Sequence, residues 1–353
     1  MTIPGAAPRT HIVGAGLIGA SIGLGLKSEG WHVTIEDAHA EAEALARAIG
    51  AGDAPGDDEP ELVIVAVPPA AAPQVVVDAL DRWQHATVTD VASVKAPIAA
   101  AVEACENAVR YVGSHPMAGR EISGGLAAQG DLFKARPWVI CPNGAHGEAV
   151  AAVRLVAETL QCDVVTMDAA AHDAAVARVS HAPQVAASAV AAALGPLSAE
   201  DVALAGQGLR DVTRIAASDP EMWADIARLN RPSLMATIDH IIGDLEDLRD
   251  ADDLGEAVTD LIERGRVEVA RIPGKHGGAT REWTPVTVIV PDVPGQLLRL
   301  LTDAAQVGVN VEDITIEHSP RQPVGLTTLH VLPARAQELA HALAENDWEI
   351  AAP

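Results

Sequence analysis

Seven short runs rich in β-branched residues recur between residues 10 and 168, each parted from the next by a stretch long enough for a helix. They are HIVGAG (11–16), WHVTIED (31–37), ELVIVAVPP (61–69), ATVTDVASVK (86–95), RYVGSHPMAG (110–119), PWVICP (137–142) and CDVVTMD (162–168). Runs that are apolar nearly throughout belong to strands buried on both faces. With helix-length spacers they predict parallel strands joined by crossover helices, an α/β domain over residues 1–167. The 353 residues hold one Phe and one Tyr, so the cores must be built from Ala, Val, Leu and Ile. That length is material for two or three domains.

The pattern changes after Asp168. Strand-like runs vanish, and Leu234, Ile238, Ile241, Leu245 and Leu248 recur at spacings of three and four, the face of a helix. Ser218-Asp219-Pro220 places capping residues before a proline, a helix start. Residues 168–272 therefore read as an all-helical domain. Its wide apolar faces lack a partner within a thin bundle, so two copies are expected to pair as a homodimer. Residues 273–283 are polar and glycine-containing, a hinge. Beyond it PVTVIV (285–290), NVEDITIE (310–317) and GLTTLHVLP (325–333) read as strands, with helices between and after them. Residues 284–353 thus follow a β-α-β-β-α order with a last strand at Asp347–Ile350, a small ferredoxin-like α+β domain.

Charge narrows the partners. Lys plus Arg is 24 against 49 for Asp plus Glu, a formal charge of -25. Such a surface repels phosphate backbones and anionic lipid, which argues against binding nucleic acid or a membrane. An anionic ligand binds only where a local arginine or a helix N-terminus overrides that field. Cys105, Cys141 and Cys162 are far apart and odd in number, so they read as small buried hydrophobes rather than a disulfide framework. The histidines show no H-E-x-x-H and no tight cluster with cysteine, so no metal site is expected. The N-terminal segment lacks a basic stretch followed by an apolar one, and a cytoplasmic protein is expected.

Gly14-Ala15-Gly16-Leu17-Ile18-Gly19 follows the first run and opens a helix. In that setting the first glycine makes the turn, the second lets backbone approach a pyrophosphate, and the third lets helix and strand pack closely. The second run ends at Glu36-Asp37, where a carboxylate binds a ribose 2′-hydroxyl and repels a 2′-phosphate. Run length favours Asp37, with Glu36 as the alternate. The domain is Rossmann-like and the expected cofactor is NAD rather than NADP. Val67, at the end of the third run, joins the loop as a cofactor-binding candidate.

Two further strand ends stand out, since ligands of open parallel sheets bind at the carboxyl ends of the strands. Asp90-Val-Ala-Ser93-Val-Lys95 closes the fourth run and Gly113-Ser114-His115-Pro116-Met117-Ala118-Gly119 the fifth. Ser93 and His115 are the catalytic candidates. The competing reading of Ser93 is a hydroxyl that closes a turn at a strand end.

Here the sequence resembles the prephenate and arogenate dehydrogenases of tyrosine biosynthesis, and most of all the prephenate dehydrogenases. GAGLIG, DVASVK, SHPMAGREISG, SHAPQ and GLRDVTRIAASDPEMW match in order along nearly the whole chain. PDVPGQLLRLL and GVNVEDI resemble an ACT regulatory module, which some members carry. The family oxidises a cyclohexadienol with NAD while the ring loses carbon dioxide. The resemblance implies that His115 takes the hydroxyl proton and that Ser93 hydrogen-bonds near it and the nicotinamide. It implies that Arg214 binds a substrate carboxylate and that Glu121 orders the arginine or gates the pocket, with Arg210 a weaker candidate. The composition-level reading of Arg214 is a helix-surface ion pair with Asp211. Many members have Ser-His-x-Pro-His where this chain has Ser180-His181-Ala182-Pro183-Gln184. His181 stays a site candidate, with helix packing as its other reading. Gln184 replaces a histidine that contacts substrate, which leaves prephenate and arogenate both open.

The resemblance also implies tyrosine as an effector acting through residues 284–353. Three other readings compete. One is an arogenate dehydrogenase. Another is a β-hydroxyacid dehydrogenase, disfavoured because residues 168–272 contain no lysine. The third is a non-catalytic sensor of NAD and an amino acid, which has no need to keep His115, Ser93 and Arg214 together.

Overall fold

The computed structural model describes residues 7–119, 124–272, 283–318 and 323–351. Two compact units divide the chain, Met1–Gly243 and Asp244–Pro353.

In the first unit each of the seven runs forms a strand: β1 (Thr10–Val13), β2 (Val33–Glu36), β3 (Leu62–Val65), β4 (Thr87–Asp90), β5 (Tyr111–Pro116), β6 (Pro137–Cys141) and β7 (Asp163–Thr166). They make one sheet in the order β2-β1-β3-β4-β5-β6-β7. Pairs from β2 through β5 are parallel, as expected. β6 departs from that expectation: it runs antiparallel to β5, while β7 is again parallel to β6. Among the described residues the β5–β6 connection holds only the short 3-10 turn Gly125–Ala127 and no crossover helix. A chain that does not cross over re-enters the sheet from the end at which it left. The connection therefore leaves from and returns to the carboxyl edge of β5, the edge that carries the site, where Met117 N donates to Pro137 O.

The strands separate two apolar cores. Leu62 and Ile64 join one, with Ile12, Ile35, Phe133 and Trp138, whereas Val63 and Val65 join the other, with Val88, Ile98 and Tyr111. All four residues of β3 are at most 1% exposed, so both faces of the sheet are covered. The single Phe and the single Tyr are both buried in these cores, and Trp31, Trp83 and Trp138 join them, so the cores are not built from aliphatic residues alone.

Helices take over after β7. Asp168 caps Ala169–Val176 by accepting a hydrogen bond from Ala171 N at 2.7 Å. That helix runs through a π-helical turn, Ala177–His181, into Ala182–Ala192. Pro183 lies just beyond the turn and has no N–H to return to the preceding coil, and the wider turn absorbs the mismatch. Asp219 caps Pro220–Leu229 by accepting from Glu221 N and Met222 N, at the predicted start. The helix Arg231–Asp250 carries the predicted apolar stripe, yet only Leu234 on it is buried and Leu245 is 57% exposed.

In the second unit β8 (Thr284–Pro291), β9 (Asp313–His318), β10 (Val324–Val331) and β11 (Glu349–Ile350) form an antiparallel sheet in the order β11-β8-β10-β9. The helix Gln296–Gln306 follows β8 and Pro333–Glu345 follows β10. This is the β-α-β-β-α-β order read from the sequence. Its separate core includes Val288, Leu300, Leu329, Leu339 and Leu343. Among the described residues no helix is long and apolar enough to cross a membrane, and no group of His, Cys, Asp and Glu is arranged to hold a metal. The three cysteines are free thiols, and burial raises Cys141 and Cys162 to about 12.

Candidate active site

The loop after β1 lies where the chain turns to β2 on one side and β3 on the other, the crevice in which open α/β sheets bind nucleotides. Its glycines are there for different reasons. Gly14 has φ +109°, and a Cβ on it would sit 2.2 Å from Ala66 O. A Cβ on Gly19 would sit 2.0 Å from Gly14 O, so only glycine lets the helix Leu17–Ser28 start this close. Around Gly16 the space is open, and no side chain caps the helix. Uncapped N–H groups facing open space suit a pyrophosphate. Leu17 and Ile18 form the first turn, and Val67 follows β3 with its backbone N behind Gly14.

The two acids after β2 part company. Asp37 turns to the loop, where Oδ2 accepts from Ala15 N at 2.7 Å and Oδ1 from His39 N at 2.8 Å. Glu36 turns away and accepts from Arg82 at 2.7 Å. Its carboxyl is held below the ordinary range, chiefly by the hydrogen bond to His11 and then by Arg82, against the opposing effect of burial.

At the ends of β4 and β5 the polar groups form one buried network. Asp90 pairs with Lys95 Nζ, both fully buried, and accepts from Tyr111 OH at 2.8 Å and Ala92 N at 2.9 Å. Ser114 Oγ donates to Asp90 O at 2.7 Å. These contacts fix the 90–95 turn. Ser93 sits on it, and its Oγ is buried with no hydrogen-bond partner among the described residues. His115 Nδ1 lies 2.9 Å from His172 Nε2, and His172 Nδ1 lies 2.7 Å from Asp173 Oδ1. Asp173 is itself gripped by Lys95 N and Ala96 N, each at 2.8 Å. Burial first, then the neighbouring His172, Lys95 and His181, push His115 well below its ordinary 6.5, so it is neutral at neutral pH.

His181 joins this network through Asn230, whose amide donates to Asp173 O at 2.8 Å and to His181 Nδ1 at 3.2 Å. Burial drives His181 down to about 4. Gln184 is buried, and its Nε2 donates to Ile215 O at 2.9 Å while its Oε1 accepts from Ser218 Oγ at 3.3 Å. It thus holds the 3-10 turn Arg214–Ala217. His181, Gln184, Ser218 and Trp223 line a cavity of about 240 Å³. Arg214 and Arg210 are exposed, and Asp211, the expected partner of Arg214, accepts from Gln207 at 2.7 Å. Glu121 lies outside the described residues. Sequence reasoning missed His172, Asp173 and Asn230. The signal for the first two was a polar pair inside an alanine-rich helix, AAAHDAAV.

A dinucleotide crevice and a neutral histidine on one sheet edge define a nicotinamide-dependent dehydrogenase. Comparison with known proteins gives the family. The description "prephenate dehydrogenase, nucleotide-binding domain" matches residues 22–166, and "prephenate dehydrogenase, dimerization domain" matches residues 168–257. The probable prephenate dehydrogenase NovF of Streptomyces niveus is 34% identical, over 96% of this chain and 98% of its own. The cyclohexadienyl dehydrogenase of Zymomonas mobilis is 32% identical, over 68% of this chain and 87% of its own. The crystal structure of Aquifex aeolicus prephenate dehydrogenase with hydroxyphenyl propionate and NAD+ matches with a TM-score of 0.66 at 27% identity, over 76% of this chain and all of that one. The chain belongs to the prephenate dehydrogenase family. It is an NAD-dependent oxidoreductase.

Proposed function

We propose that His115 is the base of the reaction, that Ser93 and Arg214 hold the substrate, and that the glycine loop with Asp37 and Val67 holds NAD. The reaction is the oxidative decarboxylation of prephenate to 4-hydroxyphenylpyruvate in tyrosine biosynthesis. Bound NAD supplies the hydride acceptor. The hydroxyl proton must leave as the hydride departs, and a neutral imidazole at the end of β5 accepts it. The observation that carries this reading is that His115 is kept neutral on the same sheet edge as the glycine loop. Ser93 keeps an unused buried hydroxyl for the substrate or the nicotinamide. Arg214 supplies a cation that a chain of charge -25 otherwise denies a dianion. Glu121 orders that arginine or gates the pocket. The open space at Gly16 and the carboxylate of Asp37 fit a pyrophosphate and a ribose without 2′-phosphate.

The test is His115→Asn. Turnover, followed as NADH absorbance with prephenate, falls roughly 10²–10⁴-fold while NAD affinity is kept. Near-normal turnover refutes the assignment.

Two assembly features complete the proposal. The chain works as a homodimer through its helical part, a reading supported by the exposed Ile242, Leu245 and Leu254. The four-stranded C-terminal module is an ACT-type regulatory domain that binds tyrosine. Its strand order supports this, as does Gly295, which opens the helix Gln296–Gln306 with φ +88° and no side-chain cap.

A further inference from the structure

We infer that His172 and Asp173 are positioning residues that fix the tautomer of His115 and leave its Nε2 bare toward the substrate. The inference rests on reading His115 as the base.

Asp173 anchors a line of hydrogen bonds that ends at His115. Its Oδ2 accepts Ala96 N, and its Oδ1 accepts Lys95 N while facing His172 Nδ1 at 2.7 Å. A carboxylate can only accept, so His172 Nδ1 must carry a hydrogen. A neutral His172 then has a bare Nε2. That atom lies 2.9 Å from His115 Nδ1, which must therefore donate. A neutral His115 with its proton on Nδ1 has a lone pair on Nε2. One carboxylate thus sets two rings in sequence, the way a second partner sets which ring nitrogen reacts.

Burial makes the arrangement stiff. His172 is 0% and Asp173 3% exposed, and the two imidazoles meet edge to face at 5.1 Å. Asp173 is held by the amides that begin the helix Ala96–Glu103, directly after the turn that carries Ser93. The same carboxylate that orients His172 thereby ties the helical segment to the 90–95 turn. In the reaction the substrate O–H bond breaks and an N–H bond forms at His115 Nε2. The hydride leaves for NAD, and the carboxylate leaves as carbon dioxide. His115 then bears the charge, and its Nδ1–H remains donated to His172, with the Asp173 carboxylate one ring further on. The charged and titratable groups that face His115 are His172 and His181 from the helical segment and Lys95 from the turn.

The test uses the full chain labelled with ¹⁵N-histidine. Long-range ¹H–¹⁵N correlation identifies the tautomer of the ring whose signals vanish in His115→Asn. The expected result is a protonated Nδ1 and a bare Nε2. A proton on Nε2 overturns the inference whatever the variants do. His172→Phe keeps the ring volume but removes the acceptor, and kcat is expected to fall roughly 10–100-fold with NAD affinity unchanged. His172→Gln offers an acceptor oxygen and is expected to recover part of that loss. Normal kcat in His172→Phe overturns the inference. Normal turnover in His115→Asn would instead refute the base assignment, so the two failures are told apart.

Discussion

Gln184 Nε2 donates to the carbonyl of Ile215, the residue directly after Arg214. Gln184 is therefore turned toward backbone, and it holds the turn on which Arg214, the arginine proposed to bind substrate, stands. Removing a buried donor leaves the carbonyl unsatisfied, at a cost of about 1–3 kcal/mol. Gln184→Ala is expected to raise the KM for prephenate roughly tenfold while NAD binding is kept. Arg214→Ala is expected to weaken prephenate more, since a lost charge-paired contact costs about 2–5 kcal/mol. Steady-state kinetics with each ligand varied separately check both. Equal losses for prephenate and NAD would point to a damaged fold.

The pH dependence follows from the state of His115. Its pKa is lowered by burial and by His172, Lys95 and His181, so the neutral base persists well below 6.5. The profile of kcat/KM is therefore expected to be level through neutral pH and to fall only as the pH drops through that lowered value. A pH–rate profile with an acid limb centred at or above 6.5 would contradict the environment described for this ring.

Asp37 accepts from Ala15 N, so its charge lies against the loop proposed to receive the cofactor. Asp37→Asn keeps an oxygen for that amide and removes the charge. The preference for NAD over NADP is expected to narrow about 10–100-fold, the value of one charged hydrogen bond. Comparing kcat/KM for the two cofactors measures it, and a wild type that uses NADP equally well would contradict the role of Asp37.

His181 also ties stability to pH. Its folded value of about 4 lies below the ordinary 6.5. Between those values the unfolded chain binds a proton that the folded chain refuses, so the stability His181 supplies is complete above 6.5 and is lost as pH falls. The slope is at most about 1.4 kcal/mol per pH unit for the group. Thermal melts from pH 7 to about 4 should show Tm falling with acid, less steeply in His181→Gln. Identical slopes would remove His181 from the account.

Tyrosine is expected to inhibit the full chain and not a variant ending at Ile272. The C-terminal sheet has its own core, and the two cores of the catalytic sheet contain no residue from it. Coupling of this kind is worth about 1–3 kcal/mol, or roughly 5–150-fold in affinity. Inhibition of both forms alike would mean that tyrosine competes in the active site. Full activity in millimolar tyrosine would end the regulatory assignment.

The central strands β1, β3, β4 and β5 were legible because each is a run of residues buried nearly throughout, a pattern that survives without tertiary context. Strand direction is not in that pattern, which is why β6 reverses against expectation. His115 and Ser93 were legible because a polar residue at the end of an apolar run has few structural uses. The choice between Glu36 and Asp37 turned on a single step along the chain, which in extended backbone swaps the faces. His172 and Asp173 were invisible for a different reason. Their partners His115 and Lys95 lie 57 and 78 positions away, and no local spacing connects them.

The π-helical turn at Ala177–His181 has a geometric consequence. His172 and His181 stand nine positions apart. At 3.6 residues per turn an unbroken α-helix would set them about 180° apart, on opposite sides. The wide turn takes up one extra residue, which brings the angle to about 80° and lets both histidines meet the Asp173–Asn230 pair. The turn works as a phase shifter in the helix. Straightening the turn into α-helix without removing a residue would leave every side chain chemically intact and rotate His181 by about 100°, away from Asn230.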